Sequence, residues 1–228
     1  MNVRKELFEK ADPGYKEYHL TLIPGAMEII GVRMPILRQM SKDICNGDWR
    51  AFLKSPMEYH EEHMLTAFVI AKADMSFEER MELTKKFVTT IKNWAVCDAF
   101  CGEIKVKNVK DKEKLWEYCL DLIDTDDEFK MRVAAVMMLD QFIDDDHIHQ
   151  VLDILSTKYH PGYYYKMGVA WTLSTCYLDY PDLTERALFS DSLDKEIRNK
   201  SIQKISDSFR VSKENKERLK ARKKEQDS

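Results

Sequence analysis

The residues from Trp94 to Cys101 read Trp-Ala-Val-Cys-Asp-Ala-Phe-Cys, a lone carboxylate in an otherwise uncharged stretch of a chain that is 33% charged. Helical spacing puts Trp94 and Asp98 at i and i+4, so an indole and a carboxylate share one face. An acid among apolar groups is costly unless it has a partner or a task. Two chemistries fit. In the structural one, Asp98 satisfies a buried arginine or a neighbouring helix N-terminus. In the other, Asp98, Trp94 and a second indole, Trp171, form a receptor for a cation through direct charge and cation–π attraction. Cys97 and Cys101 repeat the i, i+4 relation, but no cation nearby in sequence would activate a thiol, and they read as packing.

Other polar clusters are weaker. His60-Glu61-Glu62-His63 has His-x-x-His spacing, not the i, i+4 histidines that point at one metal, and reads as solvated surface. Asp144-Asp145-Asp146-His147 reads as a loop entering a helix, with Asp as its cap. Neither predicts a metal, and no cofactor is expected. The run from Lys213 to Lys224 is basic and helical in pattern. It reads as a solubilising end cap, with phosphate contact as the alternative.

The elements that must position these residues are helical. Seven Gly and six Pro among 228 residues are few, which favours long helices joined by short turns. Helical patterns run from Val3 to Lys10, from Tyr15 to a stop at Pro24-Gly25, and from Pro35 to Asn46 with Gly47 as C-cap. Ser76 and Glu79 form a capping-box signature. Nearly all-apolar segments, such as Met131 to Phe142 and Gly162 to Tyr177, alternate with amphipathic ones. Ala67, Gly102, Ala135 and Ala170 fall on a spacing of roughly 33 to 35 residues, the range of helical repeats. One pair of helices cannot bury its apolar face alone, so neighbours must stack. The expected fold is an all-α superhelical solenoid of HEAT-like repeats. It forms a single domain over 1–228, with an irregular helical segment at 1–34 and a basic helix or tail at 212–228.

No apolar run approaches the roughly 18 residues of a membrane span. The odd cysteine count and the start of the chain predict reduced thiols in a cytoplasmic protein, with a monomer favoured. A net charge of −4 and a pI near 5.9 lack the basic excess usual in nucleic-acid binders.

Five stretches nevertheless resemble one family in order: Ile30-Gly-Val-Arg-Met-Pro35, Asn93-Trp-Ala-Val-Cys-Asp98, Met131-Arg-Val-Ala-Ala135, Lys166-Met-Gly-Val-Ala-Trp171, and Arg198 to Lys204 with Phe209-Arg210-Val211. The chain is similar over most of its length to the AlkC/AlkD-like DNA alkylation-repair family, the HEAT-like-repeat DNA glycosylases. The resemblance implies excision of cationic alkylated purines such as 3-methyladenine and 7-methylguanine from duplex DNA. It implies Asp98 as catalytic carboxylate, Trp94 and Trp171 as flanking indoles, and Arg33, Arg132, Lys166, Lys200 and Lys204 as DNA contacts. The chain departs from AlkD-like sequences at Ala95, where they have an acid, and at Ser174, where they have an arginine. Its N-terminal part, broken by Pro24-Gly25, reads as too short for the paired helices that grip DNA there. Two other readings stay open: a non-catalytic paralogue that binds nucleic acid, and a HEAT-type protein-interaction scaffold.

Overall fold

The computed structural model describes residues 2–23 and 27–226, and within them all regular structure is α-helical. Packing divides the chain into two compact units, Met1–Asp111 and Lys112–Ser228.

The first unit begins with α1 (Val3–Glu9) and α2 (Pro13–Leu22). Asn2 and Asp12 accept backbone N–H bonds in their first turns, and Pro13 supplies a preset φ at the start of α2. Both helices lie within the irregular helical segment expected at 1–34 and match the patterns read there, α2 beginning at Pro13 rather than at Tyr15. The Pro24-Gly25 stop lies outside the described residues. Helix α3 (Met34–Asn46) starts on Pro35 and ends at Gly47, as the sequence predicts. A single turn, α4 (Trp49–Phe52), follows. Next come α5 (His60–Lys72), α6 (Phe77–Val88) and α7 (Trp94–Glu103), with α3, α5 and α7 stacked in sequence. Ser76 accepts from the Glu79 N–H to start α6, and Asn93 accepts from the Val96 N–H to start α7.

Helix α5 corrects the reading of His60-Glu61-Glu62-His63 as solvated surface. All four residues are buried, and Glu61 is wholly inaccessible. Its carboxylate accepts the N–H groups of Ile30, Gly31 and Val32 at 2.9, 2.7 and 3.2 Å. Glu62 accepts from Arg4 Nε at 2.7 Å, tying α1 to α5. The charges are tolerable inside because each meets donors that a loop or a neighbouring helix would otherwise leave unpaired. Gly31 has a φ of +102°, and a Cβ there would lie 2.7 Å from Lys16 Cβ and 2.8 Å from the Asp12 carbonyl oxygen. Only glycine lets this loop pass so close to α2.

The second unit contains α8 (Val109–Ile123, from Lys112 onward), α9 (Glu128–Gln141), α10 (Ile148–Thr157), α11 (Tyr163–Asp179), α12 (Pro181–Leu188), α13 (Lys195–Asp207) and α14 (Lys213–Gln226). Its centre is the stack α9, α11, α13. Ala135 and Ala170 are fully buried, and Thr172 Oγ1 donates to the Ala135 carbonyl at 2.9 Å. That bond requires the two backbones to lie close, which the small residues permit. Glu128 on α9 accepts the N–H groups of Tyr164 and Tyr165 at the start of α11. Each unit thus carries the repeat signature: successive inner helices stacked side by side, with an acid in the first turn reaching into a neighbouring segment. Before α10, Asp144 accepts from the His147 N–H at 3.0 Å and closes a turn, whereas the N-cap of α10 is His147 and has no side-chain cap bond, which corrects the reading of an Asp as the cap.

Candidate functional site

Helix α7 owes its position to apolar residues on one side. Val96, Cys97, Phe100 and Cys101 are buried against the interior, and Phe87 meets Phe100 edge-on, with centroids 5.2 Å apart. The opposite side carries Trp94, Ala95, Asp98 and Ala99, all half-buried. Trp94 and Asp98 therefore stand one turn apart on the accessible side of a rigid helix, and the two cysteines lie behind it as packing.

Trp94 is also fixed from outside its own helix. Its indole Nε1–H donates to the Leu22 carbonyl, the last residue of α2, at 3.1 Å. Helix α2 is in turn held by the Gly31 loop: the Asp12 N–H donates to the Gly31 carbonyl at 2.9 Å, and Glu61 binds that loop from beneath. A chain of contacts thus runs from a buried carboxylate on α5 to the orientation of the indole on α7. Arg33, which follows the loop, is exposed and bonded to Asp12 at 2.8 Å, with its guanidinium 5.1 Å from the Tyr15 ring centroid.

In the second unit Trp171 sits on the outward side of α11, 36% exposed, while Val169, Ala170, Thr172 and Leu173 face inward. Ser174 and Thr175, one turn on, both donate their hydroxyls to the Trp171 carbonyl, at 2.8 and 3.0 Å. Ser174 is thereby turned back on its own helix. Arg132 on α9 is buried; its guanidinium donates to the Tyr164 carbonyl and lies against Gly168, where an added Cβ would be 3.2 Å from Arg132 Cγ. Gly168 makes room for that side chain one turn before Trp171. Lys166 is buried and paired with Glu196 at 2.9 Å and Asp194 at 3.8 Å. Its ammonium pKa is raised, by the Glu196 hydrogen bond first. Lys200 is half-buried and Lys204 exposed, at i and i+4 on α13.

The candidate residues thus fall into a pair on the first unit, Trp94 with Asp98, and, on the second, Arg132 and Trp171, with Gly168 against the Arg132 side chain. Of the cations, Arg33 and Lys204 reach solvent, while Arg132 and Lys166 serve contacts between helices. Sequence reasoning passed over Glu61 and Leu22. Glu61 was obscured by its polar neighbours, and its burial beside the Ile30–Val32 loop has no local signature. Leu22 contributes a backbone carbonyl, which no side-chain pattern reveals.

Among the described residues no group of three or more His, Cys, Asp or Glu side chains is arranged to hold a metal ion. No helix there is long and apolar enough to cross a membrane. The thiols of Cys119 and Cys176 are buried, and burial pushes both pKa values up, that of Cys176 to about 12. They are unreactive at neutral pH. A cavity of about 780 Å³ in the first unit is lined by Arg4, Asp43, Asp48 and Glu62 among others, and by neither Trp94 nor Asp98.

Compared with known proteins, residues 3–206 match the family model described as "DNA alkylation repair enzyme". No curated protein matches the sequence.

Proposed function

This chain belongs to the DNA alkylation repair enzyme family, and on that premise we propose that it excises cationic alkylpurines from DNA as a monofunctional glycosylase. The observation that carries the reading is the Trp94–Asp98 pair. The two lie inside the matched span, on the accessible side of one helix, with the indole pinned by Leu22.

The proposed chemistry asks little of the protein beyond a fixed negative charge. Alkylation at N3 or N7 gives the purine a formal positive charge. When the bond from sugar C1′ to the base nitrogen breaks, its electron pair neutralises the base and positive charge moves to the sugar. Asp98 would stabilise that oxocarbenium-like sugar. Water adds at C1′ and gives up a proton, for which the same carboxylate is the nearest base in this reading. A charge pair about 4 Å apart at an effective dielectric of about 20 is worth roughly 4 kcal/mol, on the order of a thousandfold in rate. Trp94 would offer its indole face to the cationic centre, and the family resemblance implies the same role for Trp171. Arg33, Lys200 and Lys204 are proposed as phosphate contacts. Arg132 and Lys166 would support binding by holding α9, α11 and α13 in place.

A second reading, a paralogue that binds nucleic acid without excision, has support in Ser174. A polar side chain bonded to its own helix stands where AlkD-like sequences place an arginine. Single-turnover incubation of the purified protein with methylated DNA separates the two. Release of 7-methylguanine or 3-methyladenine above the spontaneous rate supports the glycosylase. Release equal to the protein-free control rules the glycosylase out, and binding of the same DNA without release then supports the second reading.

A further inference from the structure

The charge of this chain is divided unevenly. Residues 195–224 hold twelve Lys and Arg against four Asp and Glu, a net +8, so the remainder carries −12 within the total of −4. The positive segment comprises α13, the turn at 208–212 and α14. The family match ends at 206, so α14 lies beyond it, as does the turn, although the turn holds the Phe209-Arg210-Val211 stretch of the family resemblance.

Helix α14 uses its two kinds of cation differently. Leu219 is buried, and Arg218 and Arg222 flank it on the same face. Both guanidinium groups meet Glu185 of α12, at 2.7 and 2.9 Å. Arg218 also donates to the Tyr177 hydroxyl at 3.4 Å, and Arg222 lies 4.4 Å over the Phe189 ring. The planar arginines thus dock the helix, as their fixed fork suits. About half a turn round stand Lys213 and Lys220, both exposed, with Lys216 half-buried beside them. Glu217 is their acidic neighbour, 3.7 Å from Lys213.

Just before this helix, Phe209 is 103% exposed. The backbone on either side of it is hydrogen-bonded. The Ser208 N–H donates to the Ile205 carbonyl at 3.3 Å, the Arg210 N–H to Ser208 Oγ at 3.2 Å, and the Asn215 N–H to Ser212 Oγ at 3.2 Å. A hydrogen-bonded turn therefore holds a phenyl ring out in water, forgoing the whole gain of burying it. Arg210 is adjacent, and Lys213 is four residues away, a reach of at most about 14 Å.

We propose that the Phe209 turn and the outer lysine face of α14 form a second nucleic-acid contact, in which Phe209 stacks on an unpaired base while Arg210, Lys213, Lys216 and Lys220 hold the flanking phosphates. Stacking on a base is the use of an isolated ring framed by cations, because every base offers a flat π-face and every linkage a charge. A membrane surface suits this element poorly. An interfacial helix needs a continuous apolar face, and the one buried apolar residue of α14, Leu219, is already packed inward. The choice of nucleic acid rests on the DNA-repair reading above, but the contact does not involve Asp98.

The test uses the full-length protein and unalkylated DNA, as a blunt duplex and as the same duplex with a single-stranded overhang. The wild type prefers the overhang by about tenfold, the scale of one base–aromatic stack. Phe209→Ala abolishes that preference. Changing Lys213, Lys216 and Lys220 together to Gln weakens binding to both DNAs and reduces the slope of log affinity against log salt by about two. Melting temperatures change little, because Phe209, Lys213 and Lys220 are exposed and Lys216 is only half-buried. Equal wild-type affinity for both DNAs overturns the proposal. So does a preference that survives Phe209→Ala, an unchanged salt slope in the triple variant, or binding to phosphatidylserine vesicles in place of DNA. Binding of unalkylated DNA reads out this contact, and base release reads out excision. Overhang preference without base release would therefore sink the glycosylase reading alone, and base release without overhang preference this proposal alone.

Discussion

Glu61 and His60 are adjacent on α5 and equally buried, yet their surroundings give them opposite behaviour. Glu61 is surrounded by donors. Glu61→Ala would leave the buried N–H groups of Ile30, Gly31 and Val32 without their acceptor, at about 1–3 kcal/mol each. The expected loss in denaturant unfolding is about 3 kcal/mol or more, with Glu61→Gln in between because one acceptor oxygen remains. Among the described residues His60 meets no hydrogen-bond partner on either ring nitrogen, and it packs edge-on against His19, centroids 5.1 Å apart. Burial first, then the nearby His19 and His63, push its pKa down to about 3. The folded protein therefore keeps this imidazole neutral, whereas the unfolded chain protonates it near pH 6.5. The unfolded state binds more protons below that pH, so the His60 contribution is complete above 6.5 and declines as pH falls towards 3. Unfolding curves between pH 6.5 and 4.5 should show stability falling by up to about 1.4 kcal/mol per pH unit. His60→Phe should flatten much of that slope; an unchanged slope would assign it elsewhere.

Among the elements, α7 is joined to α2 by the Trp94 Nε1–H bond to the Leu22 carbonyl. Trp94→Phe keeps an aromatic ring and loses that bond, at about 1 kcal/mol. For a chain of this size the melting temperature should drop by roughly 2–4 °C. A larger drop would mean that the ring itself bears more of the packing. The helices were legible because their ends are written in local chemistry: Pro35 and Gly47 bound α3, and Ser76 caps α6. Ala135 and Ala170 marked close crossings for the same reason, since only small side chains allow the Thr172 bond to the Ala135 carbonyl. Long-range partners were not legible. His60 to His63 look solvated by composition, and only the fold brings the Ile30–Val32 amides and Arg4 to them. The candidate site divides in the same way. Trp94 and Asp98 are four residues apart on one helix and could be paired from spacing alone. That Arg132 is buried against Gly168 depends on how α9 and α11 cross.

For the whole molecule the governing quantity is charge. Residues outside 195–224 carry −12, and phosphate backbones are repelled by such a surface except where cations are placed. Blunt, undamaged duplex should therefore bind weakly at about 150 mM salt, with an affinity that rises steeply as salt is lowered. Fluorescence anisotropy across a salt series checks this, and tight, salt-insensitive binding would contradict it. The central claim is narrower: the carboxylate at the accessible side of α7 drives base loss. Its most direct test is the single-turnover release of 7-methylguanine from methylated DNA by the wild type and by Asp98→Asn, at matched folded concentration. Release by the wild type with a roughly 100- to 1,000-fold loss in Asp98→Asn is the predicted result. Equal release by the two proteins would contradict the assignment of Asp98.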